Sequence, residues 1–127
     1  MVAADTVRRL ALALPETQDL STEGRFRFEV QGKGFAWTYM MRVNPKTPRV
    51  AQPNVLAVRC AKERKEMLME AAPDRFFQDD HYRGYTGFLI RLAVVDEDEL
   101  AGLLRDAWRM VAPRPLLARF DATAPSP

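Results

Sequence analysis

A chain of 127 residues is long enough to bury one core and short for two ordinary domains. Apolar residues at 47 % and charged residues at 28 % exclude a disordered chain, and a formal charge of +2 neither demands nor forbids a polyanionic partner. Cys60 is the sole cysteine, which excludes an intramolecular disulfide and a multi-cysteine metal site.

The amino-terminal segment carries Asp5 and lacks a long apolar run, so no signal peptide is expected. No stretch approaches the roughly 20 apolar residues that cross a bilayer. A cytoplasmic protein is the expectation.

Val7, Leu10, Ala11 and Leu14 fall at i, i+3, i+4 and i+7, the spacing of one helical face. Asp5 or Thr6 is expected to cap that helix, and Pro15 to end it. Residues 16–24 are polar and read as a loop. From Arg25 the period becomes two: Phe26, Phe28 and Val30 point one way, Arg25, Arg27 and Glu29 the other. Glycines in Gln31-Gly32-Lys33-Gly34 supply a tight reversal, after which Phe35, Trp37, Tyr39 and Met41 resume the alternation. This is a β-hairpin with Lys33 at its tip.

Residues 43–54 hold Pro45, Pro48 and Pro53 with Lys46 and Arg49, which predicts a stiff basic loop and no central strand. Residues 55–60 form a third strand, and 61–72 a charged helix with Met67, Leu68 and Ala71 as its apolar side. Phe76-Phe77 begins a short strand or turn. Residues 87–93 form a further strand in which Phe88, Ile90 and Leu92 alternate with Leu89, Arg91 and Ala93. Asp96 and Glu99 make a capping box for the last helix, whose broad face is Leu100, Leu103, Leu104, Ala107, Trp108 and Val111. Pro113 and Pro115 are expected to end it.

The order is α-β-β-β-α-β-β-α. It predicts an α+β two-layer domain, mainly antiparallel, with helices on one face. The domain spans residues 1–115; residues 116–127 form a carboxy-terminal extension, expected to be mobile from 122 onward.

Several short pieces, in this order, resemble the MmcQ/YjbR family of small bacterial proteins. They are Ala13-Leu14-Pro15-Glu16, Gly32-Lys33-Gly34-Phe35-Ala36-Trp37, Phe76-Phe77, His81-Tyr82-Arg83-Gly84-Tyr85, Ala107-Trp108 and Ala112-Pro113. The resemblance runs from the first helix to Pro113. It implies a two-layer fold with an antiparallel sheet, akin also to secretion chaperones, and DNA binding through a double-wing arrangement. The proline-rich segment 47–54 departs from the short reversal common in the family, so a wing built there is longer and stiffer.

Three kinds of function fit the residues. In the first, nucleic acid is the partner. From Arg42 to Lys65 the cations Arg42, Lys46, Arg49, Arg59, Lys62, Arg64 and Lys65 face the single acid Glu63, a local charge of about +6. Phosphate contacts are assigned to Lys33, Lys46, Arg49, Arg59, Lys62, Arg64 and Lys65, with Lys33 and Lys46/Arg49 at two wing tips. Tyr82 and Arg83 are secondary candidates for stacking or base-edge contact. The same cations also suit a solvated helix, because Glu63, Glu66 and Glu70 interleave with them.

In the second, the His81–Tyr85 segment binds a small ligand, or the fold binds a protein or peptide. An arginine between rings suits a carboxylate or phosphate, although Tyr82 and Tyr85 equally suit packed ring bodies. In the third, His81 beside Asp79 and Asp80 acts in catalysis. No serine lies in a nucleophile-elbow context, and one histidine with two adjacent acids lacks metal-ligand spacing. A non-enzymatic protein without cofactor or metal is the expectation, and Cys60 is expected to be a packed thiol.

Overall fold

The computed structural model describes residues 2–42 and 44–123. In chain order the elements are α1 (Ala4–Leu12), β1 (Thr17–Asp19), β2 (Arg27–Val30), β3 (Lys33–Met41), β4 (Val50–Arg59), α2 (Lys62–Ala71), β5 (Phe76–Phe77), β6 (Gly87–Arg91), α3 (Glu97–Val111) and α4 (Arg114–Thr123). The six strands make one antiparallel sheet, ordered β1-β2-β3-β4-β6-β5. Among the described residues no helix is long and apolar enough to cross a membrane.

One sheet face carries the main core. Phe28, Val30, Phe35, Leu56, Phe88 and Ile90 meet Val7 and Ala11 of α1 and Leu100, Leu104, Ala107 and Trp108 of α3, all fully buried. Burying a large aliphatic or aromatic side chain contributes about 1.5–3 kcal/mol, which makes this layer the main source of stability. Asp96 caps α3 by accepting the Glu99 amide at 2.7 Å, as the capping-box spacing requires. The Trp108 indole donates to the Pro15 carbonyl at 3.0 Å, tying α3 to the end of α1.

Five expectations need correction. The start of α1 has Ala3 at the cap position with no side-chain bond, and Asp5 lies inside the first turn. Residues 17–19, read as loop, form β1. They are polar because an edge strand is held by backbone pairing with β2 and leaves its side chains in water.

The hairpin turn is Gln31-Gly32, both at positive φ, with Val30 opposite Lys33. Phe35 is then an extra residue: Gly34 pairs with Glu29 and Ala36 with Phe28. This bulge breaks the expected alternation. Phe35 packs in the main core, whereas Trp37, Tyr39 and Met41 emerge on the other face.

The proline loop is shorter than expected, for β4 begins at Val50 and contains Pro53. Thr38 pairs with Leu56 and Tyr39 with Gln52, so Pro53, Asn54 and Val55 are surplus to the β3 ladder. Proline's missing donor is tolerated in such an irregularity. Lastly, Pro113 and Pro115 separate two helices. Pro115 occupies the first turn of α4, where a missing N–H costs little. Leu116 is buried, and the Phe120 ring lies 5.0 Å from that of Trp108, so the domain continues past residue 115. The mobile end expected from 122 falls, past Thr123, outside the described residues.

If α4 is an integral part of the core, Leu116→Ala should cost about 2–5 kcal/mol in urea denaturation. A loose extension would shift stability by no more than about 0.5 kcal/mol.

Candidate functional site

The second sheet face is covered by the loop 78–86 rather than by a helix. Tyr39, Ala57, Tyr82 and Leu89 are buried there, with Trp37, Met41, Val55, Phe77 and Tyr85 packed around them. Tyr82 is the keystone. Its hydroxyl accepts from Trp37 Nε1 at 3.1 Å, and its ring meets Tyr39 and Tyr85 edge-on at 6.1 and 5.8 Å. Asp79 fixes the loop by accepting the Tyr82 amide at 3.0 Å and the Tyr39 hydroxyl at 2.5 Å. Burial, then the bond and charge of Asp79, push the Tyr39 phenol up to about 12.

Lys65 pins the same loop from the helix side. It is 1 % exposed, and Nζ donates to the carbonyls of Tyr82, Tyr85 and Gly87 at 2.7, 2.6 and 3.0 Å. An ammonium has three donors, and here each has an acceptor. Loss of water around the ammonium lowers its pKa. Gly87 lets the Tyr85 ring and β4 lie close to β6, since a Cβ there would meet that ring at 2.9 Å and the Val58 carbonyl at 3.0 Å.

The phosphate contact expected of Lys65 is corrected by its burial. The inner side of α2 is Lys65, Leu68, Met69 and Ala72, at i, i+3, i+4 and i+7, whereas Met67 is 61 % exposed. The signal in the sequence is the spacing of Lys65, Leu68, Met69 and Ala72, apolar but for one lysine. Tyr82 is likewise corrected: a ring 6 % exposed and packed on three sides offers no stacking face. Arg83 is exposed and paired with Asp80 at 2.6 Å.

The remaining cations divide between two ends of the sheet. Lys33 begins β3, and the neighbouring Gly34 carbonyl accepts from Arg59 Nε at 2.6 Å. Lys62 starts α2 three residues beyond Arg59. These three share one end. Lys46 and Arg49 lie past the far end of β3, about 25 Å away at the rise of an extended strand. Consecutive antiparallel hairpins open at opposite ends, so the two expected wing tips cannot adjoin. Arg49 donates to the Met40 carbonyl at 3.2 Å, and Arg64 is paired with Asp106 of α3 at 2.7 Å. The cations therefore do not form one continuous surface.

What the sequence reading missed is the setting of Trp37. Arg59 stacks over Tyr85 at 5.6 Å and over Trp37 at 6.0 Å. Arg27 stands opposite Trp37 in the β2–β3 ladder, its guanidinium held by Glu29 at 2.6 Å. A cleft of about 210 Å³ is lined by Arg27, Gly34, Trp37 and Arg59. Another of about 220 Å³, which includes Arg25, Thr22 and Leu20, meets it at Arg27 and Trp37. Farther along, Tyr39, Arg42, Arg49, Asp79, Asp80 and His81 line a cleft of about 320 Å³. Among the described residues no three His, Cys, Asp or Glu side chains are grouped to hold a metal. Cys60 is buried in the main core, and burial raises its pKa, as befits a packed thiol.

The model of the YjbR family matches residues 12–110, most of the chain. The chain belongs to the YjbR family. Its similarity to the uncharacterised Mycobacterium tuberculosis protein Rv2570 is 29 % identity over 98 % of this chain and 99 % of that one. The uncharacterised Mycobacterium bovis protein Mb2600 matches to the same extent. Among solved structures it is similar to the Deinococcus radiodurans protein DR2400, whose domain is described as DUF419. The TM-score is 0.65 at 21 % identity, covering 98 % of this chain and 91 % of that one. That likeness concerns the YjbR α+β fold alone.

Two outcomes follow from this geometry. Lys65→Ala should cost about 3 kcal/mol or more, since it removes three hydrogen bonds from a charged donor, each contributing about 1.5–3 kcal/mol. Urea denaturation measures it. The second concerns alkali. A phenol whose pKa is raised from 10.0 to about 12 by folding holds its proton more tightly in the native state. Its contribution is present below pH 10 and lost as pH rises toward 12. Stability should therefore fall over that interval, and less so in Tyr39→Phe.

Proposed function

We propose that this YjbR protein is a non-catalytic nucleic-acid-binding module, with DNA as the expected polymer, working without cofactor or metal. The observation that carries the reading is the cation-lined indole: Arg25, Arg27 and Arg59 border the two clefts that meet at Trp37. Guanidinium groups neutralise phosphate, and an aromatic ring accepts a base, so this pairing suits a polymer bearing both. Lys33 and Lys62 extend the positive charge at the same end of the sheet. Among the described residues neither carries an ion pair. Lys46 and Arg49 form a separate contact at the other end, in place of a paired wing. A cytoplasmic setting is part of the proposal, and the lone free thiol of Cys60 is compatible with it.

A small-ligand reading is favoured by the cleft at His81. Its 320 Å³ lies at the lower end of ligand pockets, and Arg42 and Arg49 could meet an anionic group. Its acids count against a polyanion at that spot.

Fluorescence anisotropy of labelled DNA across a salt series separates the two. With Arg25, Lys33, Arg59 and Lys62 on phosphate, log K should fall with log salt at a slope of about −3.6 on duplex or about −2.8 on single strand. The double variant Lys33→Ala/Lys62→Ala should flatten it by about 1.8 or 1.4 respectively. A slope near zero, unchanged by the variant, would reject nucleic-acid binding in favour of the small-ligand reading.

A further inference from the structure

We infer that the clefts flanking Trp37 take unpaired nucleobases, which makes the preferred partner single-stranded rather than duplex nucleic acid. This rests on the nucleic-acid reading above and names which form of the polymer it concerns.

The argument begins with shape. Each cleft is below the roughly 300–1,000 Å³ of drug-sized ligand pockets, so a single flat ring is the scale of object that fits. Trp37 lines both of them, its Nε1 bonded to Tyr82, its ring edge-on to Tyr85 and Arg59 over it. Its six-membered ring edge lies over Gly34, where an added Cβ would sit 3.7 Å away. Gly34 and Trp37 together line the cleft on that flank. On the other flank Thr22, Arg25 and Leu20 are exposed.

Charge then narrows the occupant. Three arginines line these clefts, and one of them, Arg27, is paired with the buried Glu29. Arg59 lies over Trp37 and Tyr85 with its Nε bonded to the Gly34 carbonyl, which fixes its guanidinium at the cleft. An isolated aromatic ligand would not need three cations, and a duplex would present phosphates with its bases stacked out of reach. A flexible single strand supplies both, with bases turned toward the sheet and backbone along Arg25, Arg59 and Lys33. The loop anchored by Lys65 carries Tyr85, so the platform is held before the ligand arrives.

The two tryptophans make the test direct. Trp108 is wholly buried and Trp37 is partly exposed, so quenching by acrylamide reports on Trp37. A single-stranded DNA of about 12 nucleotides should quench intrinsic fluorescence and shield it from acrylamide. The matching duplex should bind at least about fivefold more weakly at equal salt, and shield nothing. Trp37→Ala should lose about tenfold to a hundredfold in single-strand affinity, the scale of one stacked base. The shielding measurement on the unmodified protein stands even if that variant folds poorly. Equal affinity for both forms without shielding of Trp37 would overturn this inference and leave the nucleic-acid reading intact. Absence of salt-linked binding to either form would overturn both.

Discussion

A buried ammonium group organises the half of this protein that differs from a plain two-layer sandwich. Lys65 gives all three of its protons to carbonyls of the 82–87 segment, and the cost of dehydrating the charge is offset only while those carbonyls stay in place. The lysine and the loop are thus mutually dependent. Through the loop, the dependence reaches Tyr82 and Tyr85, and from them Trp37 and Arg59. Helices α1 and α3 cover one side of the sheet by apolar packing, whereas a loop covers the other by a polar anchor and a cluster of rings.

This division explains which parts of the structure could be read from the residues. The faces of α1 and α3 follow helical spacing closely, and Asp96 caps α3 as its sequence demands. Phe76-Phe77 and Phe88 to Arg91 also behave as strands, although the expected strand over 87–93 stops at Arg91. The errors arise where backbone irregularity or neighbours overrule the local pattern. Phe35 is a bulge residue, and one surplus residue sends Trp37 and Tyr39 to the opposite face. Nothing in the alternation Phe35, Trp37, Tyr39 announces it. Pro53 reads as a strand breaker, yet it sits where the β3 ladder already skips three residues. β1 carries no apolar period because it contributes only backbone. The helix after Pro113 is masked by prolines that start it as readily as they stop its predecessor.

The candidate site was legible in part. Lys33, Arg59 and Lys62 share one end of the sheet, and Arg59 is the one that lies over Trp37 and Tyr85. Lys65 illustrates why a count of charges is a poor map of a surface: in sequence it is one cation among seven, and in space it belongs to the interior. Arg64 and Arg83 are each held by an aspartate. Conversely, Arg25 and Arg27 read in sequence only as the wet side of a strand. Their meaning depends on Trp37 lying across the ladder, a relation set by β2–β3 register rather than by composition.

The sheet's outer margins carry a separate consequence. β1 has three residues and β5 two, so neither border presents a long run of open amide and carbonyl groups. A short border is a poor template for recruiting another chain. The longest strands, β3 and β4, sit in the interior of the ladder, where neighbours occupy both sides. The sheet is thereby guarded against end-on polymerisation even though a full aromatic face lacks a covering helix.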